Sequence, residues 1–315
     1  MLALFAAGYF YLHRGPKLTD KDMIVLADFE NRTGDPAFDG TLKKVLEVEI
    51  NQSPYLNILP DQNIRQTLQY MRRRPDEPIT RQVGLEIFQR SGVKAMISGS
   101  IANLGNRYVL TLEALNCATG RVLAGAEAEA GSKEGVLKAL DESTEKIRRK
   151  LGESLAFIRK FGTPIEDATT GSLEALKMFA MGDELRRQAK FTESIAFFKR
   201  AIELDPQFTL AYGRLGAAYA NLSENSLGKQ YLEKAFQLRE RTSERERLYL
   251  AARRHRASLV AKQAVKLRQR ELYLIRHLAR FVSRTDVLLD PAENDLNANI
   301  HRRTPHLVRT GFTVL

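Results

Sequence analysis

The chain opens on twelve uncharged residues, MLALFAAGYFYL, before His13, Arg14 and Lys17 restore polarity. As a helix that run spans only ~18 Å, against a hydrocarbon core of ~30 Å. Its Tyr9-Phe10-Tyr11 end, beside a basic residue, has the composition of an interfacial aromatic belt. Residues 1–16 are read as the C-terminal part of a truncated transmembrane helix. A short apolar helix packed on the body, or an atypical signal sequence, are the alternatives.

Residues 20–160 alternate between two hydrophobic periods. Met23–Ala27 is a short apolar run rich in β-formers and predicts a buried strand. Asn31-Arg32-Thr33-Gly34-Asp35-Pro36 is a turn-rich loop. Leu42, Val45, Leu46 and Ile50 then follow helical spacing until Ser53-Pro54 breaks it. Tyr55–Leu59 predicts a second strand, and Asp61 opens a helix reaching about Met71. A further helix covers Arg81–Arg90 and ends at Ser91-Gly92. The stretches 93–101, 108–116 and 122–130 are strand-like with short turns between them, so they should form an antiparallel meander. Val136, Leu140, Ile147, Leu151 and Leu155 predict one long helix over 132–160. The order is β-α-β-α-α-β-β-β-α, a mixed sheet with helices on a face.

A second kind of pattern begins near residue 171. Met178 and Tyr212, Met181 and Leu215, Gly182 and Gly216, and Leu185 and Tyr219 each lie 34 residues apart. Phe198 and Leu232, Ala201 and Ala235, and Leu204 and Leu238 keep the same offset. That period, with a small residue before an aromatic one and a closing Pro206, is the tetratricopeptide pattern. Two repeats are legible, 175–208 and 209–242, within a helical segment over 171–250. Such units bury their apolar faces only by stacking, and at least three are usually needed. The third is the helix near 132–160, a divergent helix after 243, or a partner.

Three resemblances refine this reading. The stretch IVLADFENRTGDPAFDGTLKKVLEVEINQSPYLNIL resembles the first domain of TolB-type periplasmic proteins, through the loop residues Phe29, Asn31, Thr33, Gly34 and Asp35. Gly99, Ser100, Ile101, Tyr108, Leu110, Thr119, Gly120, Val122 and Leu123 fit the meander of the same family. In the tetratricopeptide family the first helix of each repeat lines a groove. That resemblance implies a partner-binding groove exposing Phe179, Asp183, Arg186 and Arg187, then Ala217, Ala220 and Asn221. The ordinary alternative for Arg186-Arg187 is a solvated face. A membrane-helix end, a TolB-like domain and these repeats in series resemble the extracytoplasmic C-terminal half of acidobacterial-type receptor serine/threonine kinases.

Charge changes the picture only at the C-terminus. The formal net charge is +11, and the last 75 residues hold 16 of the 49 Lys and Arg against 7 of the 38 Asp and Glu. Four of the five histidines, His255, His277, His301 and His306, also lie there. The body is therefore near neutral, which argues against a nucleic-acid protein with a whole-domain basic footprint. The tail, 251–315, is poorly patterned. It reads as a basic amphipathic helix, a divergent third repeat or, for the last ~40 residues, out-of-frame translation, where composition and histidine use shift together.

The chain carries no G-x-G-x-x-G, G-x-x-x-x-G-K-[ST] or H-E-x-x-H, and no kinase catalytic loop. Asp28-Phe29-Glu30 lacks the glycine of a D-F-G. Cys117 ends a strand-like run without a histidine partner and reads as a buried thiol. Asp35 and Asp39 read as loop-stabilising or helix-capping groups, with cation binding as the alternative. No cofactor is called for. The expected class is α+β: a mixed-sheet TolB-N-like domain over 20–160, then the repeats. The expected function is non-catalytic: a membrane-tethered, periplasmic module that binds a protein or peptide through the repeat groove. The alternative is a nucleic-acid-associated protein acting through its basic tail.

Overall fold

Residue period decides where each element forms. The computed structural model describes Leu18, Thr19, residues 22–255 and positions 258, 266, 269, 270 and 272. The apolar segment expected over 1–16 and almost all of the basic tail lie outside the described residues.

Three parallel strands start the sheet: β1 (Met23–Leu26), β3 (Asn57–Ile58) and β4 (Ala95–Leu104), with β3 and β4 flanking β1. The meander follows as expected, β4 pairing antiparallel with β5 (Arg107–Asn116) and β5 with β6 (Val122–Ala130). The strand order is β3-β1-β4-β5-β6. A short β2 (Glu30–Arg32) also pairs parallel with β4, where the sequence pattern predicted a loop. Leu26 opposes Ile97 and Glu30 opposes Ser100, so three residues, 27–29, face two on β4. That extra residue bends the chain and turns Asp28 out of the ladder. Phe29 then lies on Gly99, where any Cβ would stand 2.3 Å from the ring.

Helices cover the two faces unequally. α1 (Thr41–Asn51) and α4 (Val136–Leu151) pack on Ile97, Ile101, Leu110 and Leu112, with Ala124, Ala126, Ala128 and Ala130 of β6 in the same core. Alanines on alternate positions let α4 approach the strand closely. The opposite face carries a smaller core. There α2 (Asp61–Tyr70) and α3 (Arg81–Ser91) bury Leu68, Val83 and Ile87 against Val25, Met96, Leu115 and Cys117. Burial pushes the Cys117 thiol up to about 11, which keeps it protonated and unreactive at neutral pH. Lys150 and Lys146 donate to the Gly125 and Glu127 carbonyls on β6. By occupying carbonyls of the edge strand, these helix lysines oppose pairing with another chain.

The single helix expected over 132–160 is two helices. α4 stops at Gly152, whose φ of 117° suits glycine, and α5 (Leu155–Phe161) restarts with Ser154 as its cap. The break places Glu153 back on Arg148, two bonds of 2.9 Å with both side chains buried. Ser53 Oγ donates to the same carboxylate at 2.8 Å. A short α6 (Ile165–Ala168) leads into the repeats.

The repeats are two helical hairpins and one further helix. α7 (Leu173–Arg187) pairs with α8 (Phe191–Leu204), and α9 (Thr209–Asn221) with α10 (Asn225–Gln237). α11 covers residues 244–255. Its buried Leu250 meets the α9 backbone at Gly213, so the divergent helix after 243 supplies the third layer. Gly182 and Gly216 let the hairpin partners touch: a Cβ would come within 2.9 Å of Phe198 and 2.8 Å of Leu232. Phe179 packs at a tilt against Phe198 and Phe208, at 5.8 and 4.9 Å between centroids. These three rings share one hydrophobic core with Leu42, Leu46 and Ile97 of the sheet layer. Burying each ring contributes ~1.5–3 kcal/mol, so the repeats are fused to the sheet layer rather than strung beside it. The fold is α+β.

Candidate functional site

α1 has two working faces. Leu42, Val45, Leu46 and Ile50 recur at helical spacing and enter the core. Lys44, Glu47 and Asn51 recur at i, i+3 and i+7 and meet the repeats. Lys44 Nζ lies 2.5 Å from Asp183 on α7, with the two side chains 5% and 1% exposed. Glu47 pairs with Arg187 at 3.2 Å. The Asn51 carbonyl accepts from Arg245 on α11 at 3.2 Å. α1 therefore packs on the first helix of repeat one and reaches α11, covering the Asp183 part of the expected groove.

This corrects the groove residues. Phe179, Asp183 and Ala217 are buried, not exposed. Phe179 belongs to the core and Asp183 is the anion around which the junction is built. Arg186 bonds Asp183 at 2.7 Å. Arg187 is held by Glu47, Asp61 and Glu184, and its carbonyl accepts from Arg65. The solvated-face alternative for this arginine pair is thereby replaced by a structural role. Ala220 is half-buried, and Asn221, although exposed, bonds its own helix at Ala217. The sequence could not show this, because Lys44 is 139 positions from Asp183 and looks like any surface lysine.

The electrostatics follow from that burial. Desolvation pushes the Asp183 carboxyl up, but Lys44, Arg214, Arg186 and Arg187 together outweigh it and hold it well below the ordinary range. Desolvation also opposes Glu47, which Lys44 and Arg187 still bring below its usual value. Arg214 on α9 is half-buried, 3.6 Å from both Asp183 and Glu246 of α11. Lys44, Asp183, Arg214 and Glu246 thus alternate in sign across α1, α7, α9 and α11. On the other side of α1, burial first, then the neighbouring Asp141, pushes the Glu49 carboxyl well above its normal range.

What remains open at the junction is a cleft with two lobes. Asp28, Asp39, Gly40, Lys43, Glu184 and Arg187 line both. The first lobe, about 430 Å³, runs toward the 75–79 loop. Asp28 fixes that loop: it accepts from Lys43 Nζ at 2.7 Å and from the Ile79 amide at 2.5 Å, while its own amide donates to the Ile79 carbonyl. The second lobe, about 640 Å³, has an apolar floor of Ala180, Met181, Leu185 and Phe197. Met181 is 40% exposed there. In a helical stack, that floor is the face a preceding unit would cover; α1 covers only part of it. Along the rim Asp28 pairs with Lys43, Glu47 with Lys44, and Glu184 with Arg187.

The 31–39 loop closes on itself. Asn31 donates to the Asp35 carbonyl and to Asp39 Oδ1, and accepts from the amide and hydroxyl of Thr33. Asp35 caps the 3-10 turn Pro36–Phe38 through the Ala37 amide and pairs with Lys133 at 2.7 Å. Both aspartates hold this loop in the conformation that delivers Gly40 to the start of α1. Among the described residues, no helix is long and apolar enough to cross a membrane.

Comparison with known proteins agrees with the repeats. Residues 178–208 and 210–242 match the tetratricopeptide repeat family, and the two hairpins are tetratricopeptide repeats. No curated protein matches the chain. Among solved structures, the chain is similar to the LpoB C-terminal domain from Salmonella enterica, at 14% identity and a TM-score of 0.34, over 38% of this chain and 90% of that one. A PelC dodecamer from Paraburkholderia phytofirmans gives 15% identity and 0.30, over 44% and 94%. TolB from Acinetobacter baumannii gives 14% and 0.31, over 43% and 30%.

Proposed function

We propose that this chain is a non-catalytic protein-binding module whose partner enters the apolar lobe beside Met181, rather than the inner groove that α1 partly covers. The observation that carries this reading is the uncovered stacking face of a tetratricopeptide array: Met181, Leu185 and Phe197 at one end, bordered by charges of both signs. Exposed apolar floors with polar rims mark protein interaction sites. A helix or extended segment with two or three apolar side chains would complete the stack there.

The module works tethered at a membrane, with its body on the periplasmic side. The uncharged run Met1–Leu12 with its aromatic end supports the tether. The sequence order of apolar segment, TolB-like layer and repeats supports kinship with receptor serine/threonine kinases, in which partner binding would bias association of the catalytic halves. A photo-crosslinking residue at position 181 tests the binding reading. Cells carrying it should yield a discrete crosslinked species, abolished by Phe197→Glu, while the same probe at Leu248, 66% exposed on α11, yields none. Equal crosslinking at both positions, or none at 181, contradicts it.

A further inference from the structure

The corner formed by α4 and α5 carries an exposed patch that neither the core nor the repeats use. α5 buries only Ile158. Leu155 and Phe157 are 39% and 47% exposed, and Phe161 is half-buried with its ring 6.1 Å from that of Phe157. Arg159 and Lys160 are exposed on the same helix, and Arg149 is exposed in the last turn of α4. Lys160 Nζ sits 5.1 Å from the Phe161 ring. The only acidic residue between Arg149 and Phe161 is Glu153, already spent on Arg148. Gly152 and Gly162 bound the helix.

We propose that this patch lies against an anionic lipid surface and sets the orientation of the module on its membrane. Short helices with aromatic and aliphatic tips among cations settle at the headgroup boundary. There the rings reach the acyl edge while arginine and lysine stay among the phosphates. Charge complementarity favours lipid over an acidic protein, since the exposed Phe157 ring and the half-buried Phe161 ring beside it stand among the cations and call for an apolar layer as well as negative charge. The proposal deepens the tethered reading above and rests on it.

The chain contains no tryptophan, so Phe157→Trp places a single fluorescent reporter in the patch. Tyr70→Trp, on α2 across the sheet and 79% exposed in the native residue, is the control. Each full-length variant is reconstituted with vesicles of phosphatidylcholine and phosphatidylglycerol, with bromine-labelled acyl chains as quencher. The expected result is blue-shifted emission and strong quenching at 157 only, falling to the control level in Arg159→Glu/Lys160→Glu or in pure phosphatidylcholine. Vesicle-bound protein with no quenching at 157 overturns the patch and leaves the tether standing. Protein that does not bind vesicles at all overturns both. A shift at 157 produced by single-stranded nucleic acid but not by vesicles assigns the patch to a polyanion and overturns the lipid proposal.

Discussion

Lys44 of α1 and Asp183 of α7, 139 positions apart, meet at 2.5 Å with almost no solvent contact. Their contact explains how one helix serves two layers. Removing one member leaves the other under-compensated, with only Glu47 beside Lys44 or Arg186 and Arg214 beside Asp183, at a cost of ~1–3 kcal/mol. Lys44→Met and Asp183→Leu should each lower stability by about that amount. The double variant should recover much of the loss, because no lone charge stays buried. Urea denaturation of the four proteins checks this; additive losses would show that the pair is not coupled.

Acid should attack the same junction. Asp183 has a depressed carboxyl, so its stabilisation is full above the unfolded value of ~3.9 and is lost as pH falls through the lower folded value. Wild-type stability should therefore drop steeply in strong acid. The drop should be shallower in the Lys44→Met/Asp183→Leu background. Parallel acid limbs in the two proteins would count against the assignment.

Glu49 titrates with the opposite sign. Its folded value is raised by burial and by Asp141, so its contribution is full below the unfolded value of ~4.3 and is lost as pH rises through the folded one. Glu49→Gln keeps a hydrogen-bonding group without the ionisation. The variant should gain stability over wild type as pH increases, and melting temperatures across a pH series read this directly. A variant that loses stability at every pH would show that the carboxyl acts through packing alone.

The repeat glycines predict a graded response. At Gly216 a methyl would meet Leu232 and the Gly228 carbonyl at 2.8 and 2.9 Å, and a backbone carbonyl cannot turn aside. At Gly182 the obstacles are the Phe198 ring and the Phe197 Cβ. Both alanine variants overpack, at ~1–3 kcal/mol, and Gly216→Ala should be the worse. Circular dichroism melts rank them.

Local periodicity carried a good part of this fold. The meander and the 34-residue offset were legible because each repeats one simple pattern within a short span. β2 was not, since Glu30, Asn31 and Arg32 are polar and pair only because the chain bulges around Asp28. The break at Gly152 was hidden because Leu151 and Leu155 keep the helical spacing across it. The candidate site was the least legible part. Family pattern places Asp183 on a groove, and only tertiary contact reveals that a helix from the sheet layer covers that part of it. Met181, now the exposed floor of a cleft, entered the sequence reading only as a repeat position.

The central claim is that α1 and the repeats form one folded unit. Native-state hydrogen exchange across a denaturant series tests it most directly. Amides of α1, α7 and α9 should open with a common free energy, and Asp183→Leu should lower all three together. Repeats that open while α1 stays protected, with no change in α1 on Asp183→Leu, would contradict the account.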